Sequence, residues 1–329
     1  MMRLANRGLC TGIIVLLLLA TVALVVMPGC GEPEKAAVPV RFGILRNDLH
    51  QLAYYVAREK GYFTEEGLDV REGGAFNAGP EEMSAFAAGE LDMGLVGTSP
   101  VVTFASQKMA DVKIVAQANT EGSAVLIRAG LEGEDMASFR GRTIAVPGFS
   151  TVQDFLLRLA LKKAELSDTD VNIIVLKPPE TLAAFSSSQI DGAVCWEPYP
   201  SMAVNDNKAR VMLTSHQIWP DHPCCMLIVA SEFLSKNPEV VRKVVAAHVK
   251  ATDFINKNKL EATDMARMFT GQDKNVCASA MKNVKFDPDP DPVEIQKYVD
   301  YLKTAGVVKV TDTGDFVDDL VDSEYLPRK

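Results

Sequence analysis

Pro80-Glu81-Glu82-Met83-Ser84-Ala85-Phe86 returns 99 residues later as Pro179-Glu180-Thr181-Leu182-Ala183-Ala184-Phe185. The match runs on through Glu90-Leu91-Asp92 against Gln189-Ile190-Asp191, and Gly94-Leu95 against Ala193-Val194. Five of the 16 positions from Pro80 are identical and most others are conservative, so the stretch reads as one helix-strand unit used twice. Working upstream, Val40–Leu45 reads as a strand leading into Asp48-Leu49-His50-Gln51, and Thr143–Val146 as one leading into Ser150-Thr151-Val152-Gln153. Each tetrapeptide sets a short oxygen side chain three residues before Gln, the pattern of a helix start.

Outward from these units the pattern keeps alternating. Helix is expected over Leu49–Lys60, and strands over Leu68–Arg71, Met93–Val96, Lys113–Ala118, Ala124–Arg128, Val171–Leu176, Gly192–Cys195 and Cys225–Ala230. Alternation on this scale predicts α/β layers, and 329 residues exceed what one core usually holds, so two lobes are expected. Beyond Ser231 the character is helical. Pro238 opens one helix, and others are expected over Leu260–Phe269, Asn275–Lys282 and Pro292–Thr304. Asp287-Pro288-Asp289-Pro290-Asp291-Pro292 reads as a stiff solvated connector.

The N-terminus is a targeting segment. Arg3 and Arg7 precede the apolar run Thr11–Met27, and Gly29-Cys30 closes it. Small residue plus Cys resembles a bacterial lipobox, which implies residues 1–29 as signal peptide, lipid on Cys30 and a tether over 30–37. An uncleaved anchor is the other reading; both export the rest of the chain, facing the periplasm or cell exterior. Formal net charge is −9, which argues against nucleic-acid binding.

Ligands of open α/β lobes bind at strand ends, where helix N-termini present unpaired N–H groups. Four turns qualify: Asn47–Gln51, Gly97-Thr98-Ser99-Pro100, Gly148-Phe149-Ser150-Thr151 and Trp196-Glu197-Pro198-Tyr199. The candidate ligand-binding residues are therefore Asp48, His50, Gln51, Thr98, Ser99, Ser150, Thr151, Gln153, Trp196 and Glu197. Hydroxyls, backbone donors and an indole suit a small anion or polar head group. Asp48, Ser99 and Ser150 equally suit a capping role alone. Glu197 suits either an amine on the ligand or a hinge contact.

Gly141-Arg142-Thr143-Ile144-Ala145-Val146-Pro147 with Ser150–Gln153, Ala88-Gly89-Glu90-Leu91-Asp92, Gly97–Pro100 and Asp191–Tyr199 resemble the nitrate/sulfonate/taurine-type substrate-binding proteins of ABC importers. Lys60-Gly61-Tyr62-Phe63 and Glu66-Gly67-Leu68 are similar to the end of that family's first helix. The resemblance implies a type II periplasmic-binding-protein fold crossed twice, near Gly122–Arg128 and Pro223–Val229. It places lobe 1 at 38–124 and 228–329, and lobe 2 at 125–227. It also implies a monomer that closes on ligand and delivers it to an ABC permease and its ATPase, with no cofactor and no catalysis.

Cys195, Cys224, Cys225 and Cys277 remain outside the leader; an even count permits disulfides, and free thiols are as plausible. His222-Pro223-Cys224-Cys225 with Cys195 lacks paired metal-ligand spacing, so no metal site is expected. The leading ligand is a sulfonate, a taurine-like zwitterion or a nitrate-like anion; a pyrimidine or thiamine-precursor heteroaromatic, stacked on Trp196, Tyr199 or Phe149, is the alternative. A thiamine-pyrimidine-synthase-like enzyme is weaker: the leader speaks against it, and no Ser-His-Asp set, Walker loop or carboxylate pair stands out. A sensor or interaction module would be expected to have lost the polar turns.

Overall fold

The computed structural model describes residues 37–327, so the leader, Cys30 and most of the tether lie outside the described residues. Among those described there are two sheets. The first has the order β11-β4-β10-β3-β1-β2, from β1 (Pro39–Leu45), β2 (Asp69–Phe76), β3 (Met93–Gly97), β4 (Val112–Glu121), β10 (Pro223–Ala230) and β11 (Val284–Phe286). The second has the order β7-β6-β8-β5-β9, from β5 (Ser123–Arg128), β6 (Thr143–Val146), β7 (Asn172–Val175), β8 (Gly192–Trp196) and β9 (Ala209–Thr214).

With β11 set aside, the orders β2-β1-β3-β10-β4 and β7-β6-β8-β5-β9 are the same, and so are the directions. β1 pairs parallel with β2 and β3, while β10 runs antiparallel between β3 and β4. β6 pairs parallel with β7 and β8, while β5 runs antiparallel between β8 and β9. The sequence repeat falls on helix Gly79–Ala87 with β3, and on helix Pro178–Ser186 with β8.

The central strands of both sheets are buried on both faces, as parallel strands with crossover helices require, while the edge strands β2, β7 and β9 are partly exposed. In β5, Val125 and Ile127 point into the large core, and Ala124 and Leu126 into a smaller one beneath Phe185, Tyr199 and Ala203. That two-residue alternation is the strand period expressed as packing. The C-terminal helices, including Pro238–Lys257 and Pro292–Thr304, complete the large core through Val241, Val245, Ile295, Tyr298 and Val299.

The chain leaves the first sheet between β4 and β5. Glu121 (φ 62°) and Gly122 (φ 86°) are successive left-handed residues and redirect the backbone within two positions. Gly122 has no room for a side chain: a Cβ there would lie 2.2 Å from His50 Nε2. The chain returns at β10, just after the left-handed Asp221 (φ 56°). One carboxylate holds both crossings: Glu121 Oε1 accepts from Asp221 N (2.9 Å), His216 Nδ1 (2.6 Å) and Lys285 Nζ (3.1 Å). Burial alone would raise its pKa, but these donors hold it below the usual range.

Two details differ from the sequence expectation. β9 and β11 were not anticipated; β9 carries Arg210 and Met212 without clear alternation, and β11 is three residues long. The cap of helix Val152–Lys163 is Thr151, not Ser150: its hydroxyl accepts from Asp154 N (3.2 Å), while Asp154 accepts from Ser150 N (2.9 Å). No helix among the described residues is long and apolar enough to cross a membrane.

Candidate functional site

The strand ends and helix starts of both sheets converge on one cavity. Its lining comes from the turn after β1 (Leu45, Asp48, His50), helix Gly79–Ala87 (Gly79), the end of β3 and the helix after it (Gly97, Pro100), helix Val152–Lys163 (Thr151, Val152, Gln153), β8 (Trp196) and β10 (Cys224, Cys225). The free space is about 20 Å³, which admits little more than a water-sized guest.

Asp48 Oδ1 accepts from His50 N (2.9 Å) and lies 3.2 Å from His50 Nδ1. Gln51 Nε2 reaches Asp48 Oδ2 only at 3.5 Å. Burial pushes the Asp48 carboxyl up to about 6, against the pull of His50. For His50, burial disfavours the cation, but the Asp48 carboxylate and the Cys224 sulfur outweigh it and lift the imidazole to about 9. His50 Nε2 donates to Gly122 O (3.1 Å), so Nδ1 faces the sulfurs of Cys224 (3.6 Å) and Cys225 (3.7 Å). A hydrogen bond from Cys225, then the charge of His50, draws the Cys224 thiol well below its ordinary value; Cys225 is displaced upward.

On the opposite wall, Trp196 is buried and its Nε1–H has no partner among the described residues. A buried donor without an acceptor is uncommon in folded proteins. Tyr199 packs edge-on against this indole, with centroids 6.3 Å apart and planes at 78°. Gln153 Nε2 donates to Ser123 Oγ (3.0 Å).

The cavity therefore gathers Asp48, His50, Thr151, Gln153 and Trp196 from the ten candidates. Gln51 is buried just behind it, with Oε1 unpaired. Thr98 Oγ1 donates to the carbonyls of Pro223 (3.2 Å) and Cys224 (3.1 Å) and so holds β10 in place. Ser99 Oγ is buried without a partner and does not line the cavity; Ser150 is half-buried outside it. Thr151 spends its hydroxyl on the helix cap and on Gly148 O (2.7 Å). Glu197 points away: its oxygens accept from Asn283 Nδ2 (2.6 Å) and Ser201 N (3.2 Å), beside a separate cavity of about 310 Å³. Its backbone joins the crossing, since Leu49 N donates to Glu197 O (3.0 Å) and Glu197 N to Gly122 O (2.9 Å). Its carboxylate thus contacts helix Lys274–Asn283 and its backbone the crossing, not the cavity.

The sequence reading paired the thiols with His222 and Cys195. The structure keeps His222 beside Cys224 and adds His50, which reaches Cys224 and Cys225 from 174 and 175 positions away, a distance no local spacing reveals. Cys195 is buried elsewhere, its thiol pushed up to about 12 by burial, and no disulfide links the four cysteines. Phe149 is 54% exposed and Tyr199 packs against the indole, so among the described residues Trp196 is the one Phe, Tyr or Trp ring lining the cavity.

The model of the NMT1-like family matches residues 31–270. A Brucella abortus protein, named only as a binding protein, is 33% identical over 250 residues, covering 75% of this chain and 76% of its own length. The taurine-binding periplasmic protein of Escherichia coli is 30% identical over 200 residues, 60% of this chain and 61% of that protein. Among solved structures, the periplasmic nitrate-binding protein of Synechocystis PCC 6803 superposes with a TM-score of 0.80 at 17% identity, covering 88% of this chain and 87% of that one. The two-sheet architecture is thus that of the periplasmic binding proteins, and the chain belongs to the NMT1-like family.

Proposed function

We propose that this protein is the extracytoplasmic solute-binding subunit of an ABC importer, tethered by a lipid on Cys30, and that it binds a small zwitterion or organic anion between two lobes. The lobes are the two sheets with their helices, divided at the crossings Glu121–Gly122 and Asp221–His222 rather than at 124 and 228. The observation that carries the reading is the unpartnered Trp196 indole N–H, buried in a cavity walled by both sheets. Two helix N-termini, of Thr98–Ser106 and Val152–Lys163, reach the same cavity and favour negative charge by about 0.3–1 kcal/mol each. The described lining pairs Asp48 with His50 and contains no Lys or Arg, so it offers no cation beyond that pair. A taurine-like zwitterion, amine to Asp48 and sulfonate to the indole and helix ends, therefore suits it better than a bare anion. With one ring in the lining, stacking of a heteroaromatic ligand is less well supported.

The space between the sheets is too small for such a ligand to enter unaided, so binding requires the lobes to part and close again about Gly122 and Asp221. Delivery to the permease would follow closure. A thermal-shift screen against taurine, alkanesulfonates, nitrate and thiamine-type pyrimidines tests the proposal. A true ligand at a hundred times its Kd stabilises by about 2.7 kcal/mol, a rise of a few degrees. A shift with taurine or a sulfonate is the expected result; a shift with pyrimidines alone, or with nothing, would overturn the ligand assignment.

A further inference from the structure

We infer that His50, Cys224 and Cys225 form a site for a thiophilic metal ion of the zinc(II) or copper(I) class at the floor of this cavity. The three ligand atoms lie within 4.8 Å of one another, and all three side chains are buried. Consecutive residues of a regular strand point to opposite faces, so neighbouring cysteines should not reach one partner. β10 breaks that rule where it matters: its register against β4 slips between Pro223 and Cys225 and again between Cys225 and Met226. These bulges bring both sulfurs onto the same imidazole nitrogen.

The spacing matches coordination. Zinc–sulfur bonds of about 2.3 Å and zinc–nitrogen bonds of about 2.0–2.1 Å, at tetrahedral angles, put sulfur and nitrogen about 3.6 Å apart. The structure has 3.6 and 3.7 Å. The outer partner of the histidine is present too, because Nε2 donates to Gly122 O and orients Nδ1 toward the sulfurs. Asp48 Oδ1, 3.2 Å from that nitrogen, is the nearest carboxylate for a fourth position. Thr98 fixes the carbonyls of Pro223 and Cys224, which steadies the thiol-bearing backbone. A cavity of about 20 Å³ accommodates an ion. The thiols bind as thiolates and the imidazole as a neutral Nδ1 donor, so the protons of all three leave to solvent, and soft sulfur donors select zinc or copper(I) over magnesium or calcium. The site does not rest on the transport reading.

The test uses the full chain, purified in reductant, stripped with chelator, given zinc(II) and desalted without any organic ligand. One zinc per chain is expected, and cobalt(II) in its place should show a thiolate-to-cobalt charge-transfer band. Cys224→Ser, Cys225→Ser and His50→Ala should each lose the retained metal, while Cys277→Ser keeps it. Asp48→Asn should weaken retention by about 10- to 100-fold. The cobalt spectrum of the unaltered chain reports sulfur coordination even if a variant misfolds. No metal after desalting, a cobalt spectrum without the thiolate band, or full retention by the folded Cys224→Ser, Cys225→Ser double variant would each overturn the inference.

Discussion

The two sheets share an order, and their equivalent positions can be laid side by side. In the first, Cys225 of β10 pairs with Gly97 at the end of β3. In the second, Ser123 of β5 pairs with Trp196 at the end of β8. Across the repeat, His50 and Gln51 correspond to Val152 and Gln153. The first half therefore faces the cavity with imidazole and thiols, and the second with amide, hydroxyl and indole. The contrast continues under the sheets. Glu82 is buried with neither carboxylate oxygen bonded, fitted beneath Gly43 and Gly94, where a Cβ would lie 2.5 Å from its Oε1. Its counterpart Thr181 is buried too, but its hydroxyl donates to Lys177 O (3.3 Å). At these equivalent positions one backbone plan thus holds ionisable side chains in one half and neutral ones in the other, so the fold fixes positions without fixing their chemistry.

The comparison breaks hardest at the crossings. Gly122→Ala adds a methyl against His50 at a left-handed position and should cost about 3 kcal/mol in urea melts. Asp221→Gly, at the return crossing, should change stability by no more than about 1 kcal/mol. A similar loss in both would make the crossings equivalent after all.

Trp196→Phe should weaken the ligand found by thermal shift about 10- to 100-fold while melting of the free protein holds, because one hydrogen bond to a charged group is removed. Ser99→Ala, behind the first-sheet side of the cavity, should leave affinity within about threefold. Equal losses in titration calorimetry would deny the second half its special part.

Glu82 sharpens the contrast through pH. Burial, then the charge of Asp48, raises its folded-state pKa well above the ordinary 4.5. Its stabilisation is therefore full below about that pH and is lost as pH rises through the folded value. Glu82→Gln should flatten this decline and add about 1–3 kcal/mol at pH 8, whereas Thr181→Val should show no pH dependence. A steeper fall in the Gln variant would contradict the assignment.

The smallest effect is where the repeated helices meet. Lys177 Nζ lies 2.5 Å from Glu81 Oε1, joining the start of one copy to the other. Both side chains are partly exposed, so Glu81→Gln should cost about 0.2–1 kcal/mol at low salt and nothing measurable in 1 M salt.

The repeat was legible because it sits on buried elements, where Pro80 and Pro179 start helices and Phe86 and Phe185 anchor them. The cavity was legible as four turns, since strand ends that begin helices must expose donors somewhere. Which side chain enters was less so. Thr151 displaced Ser150 as the cap because Ser150 adopts a left-handed backbone (φ 63°) while Thr151 is extended, as a cap must be. Glu197 turned away because Asn283, 86 residues on, supplies its donor. The thiol cluster was hidden for the same reason, as its bulges arise from pairing with β4, which no local pattern encodes.

The first-sheet strands on either side of the crossing carry a further consequence. β4 and β10 are antiparallel neighbours, with Thr120 opposite Pro223, and Glu121 N donates to His222 O (3.2 Å). In the second sheet, β5 and β9 bring Ala124 opposite Thr214. Everything between Gly122 and His222 is thus a cassette spliced into the tip of what would otherwise be a plain hairpin. Excising it and closing the gap with an Asn-Gly turn would leave all six strands of the first sheet with their partners. The same neck is a natural splice point for a foreign domain whose ends lie close together.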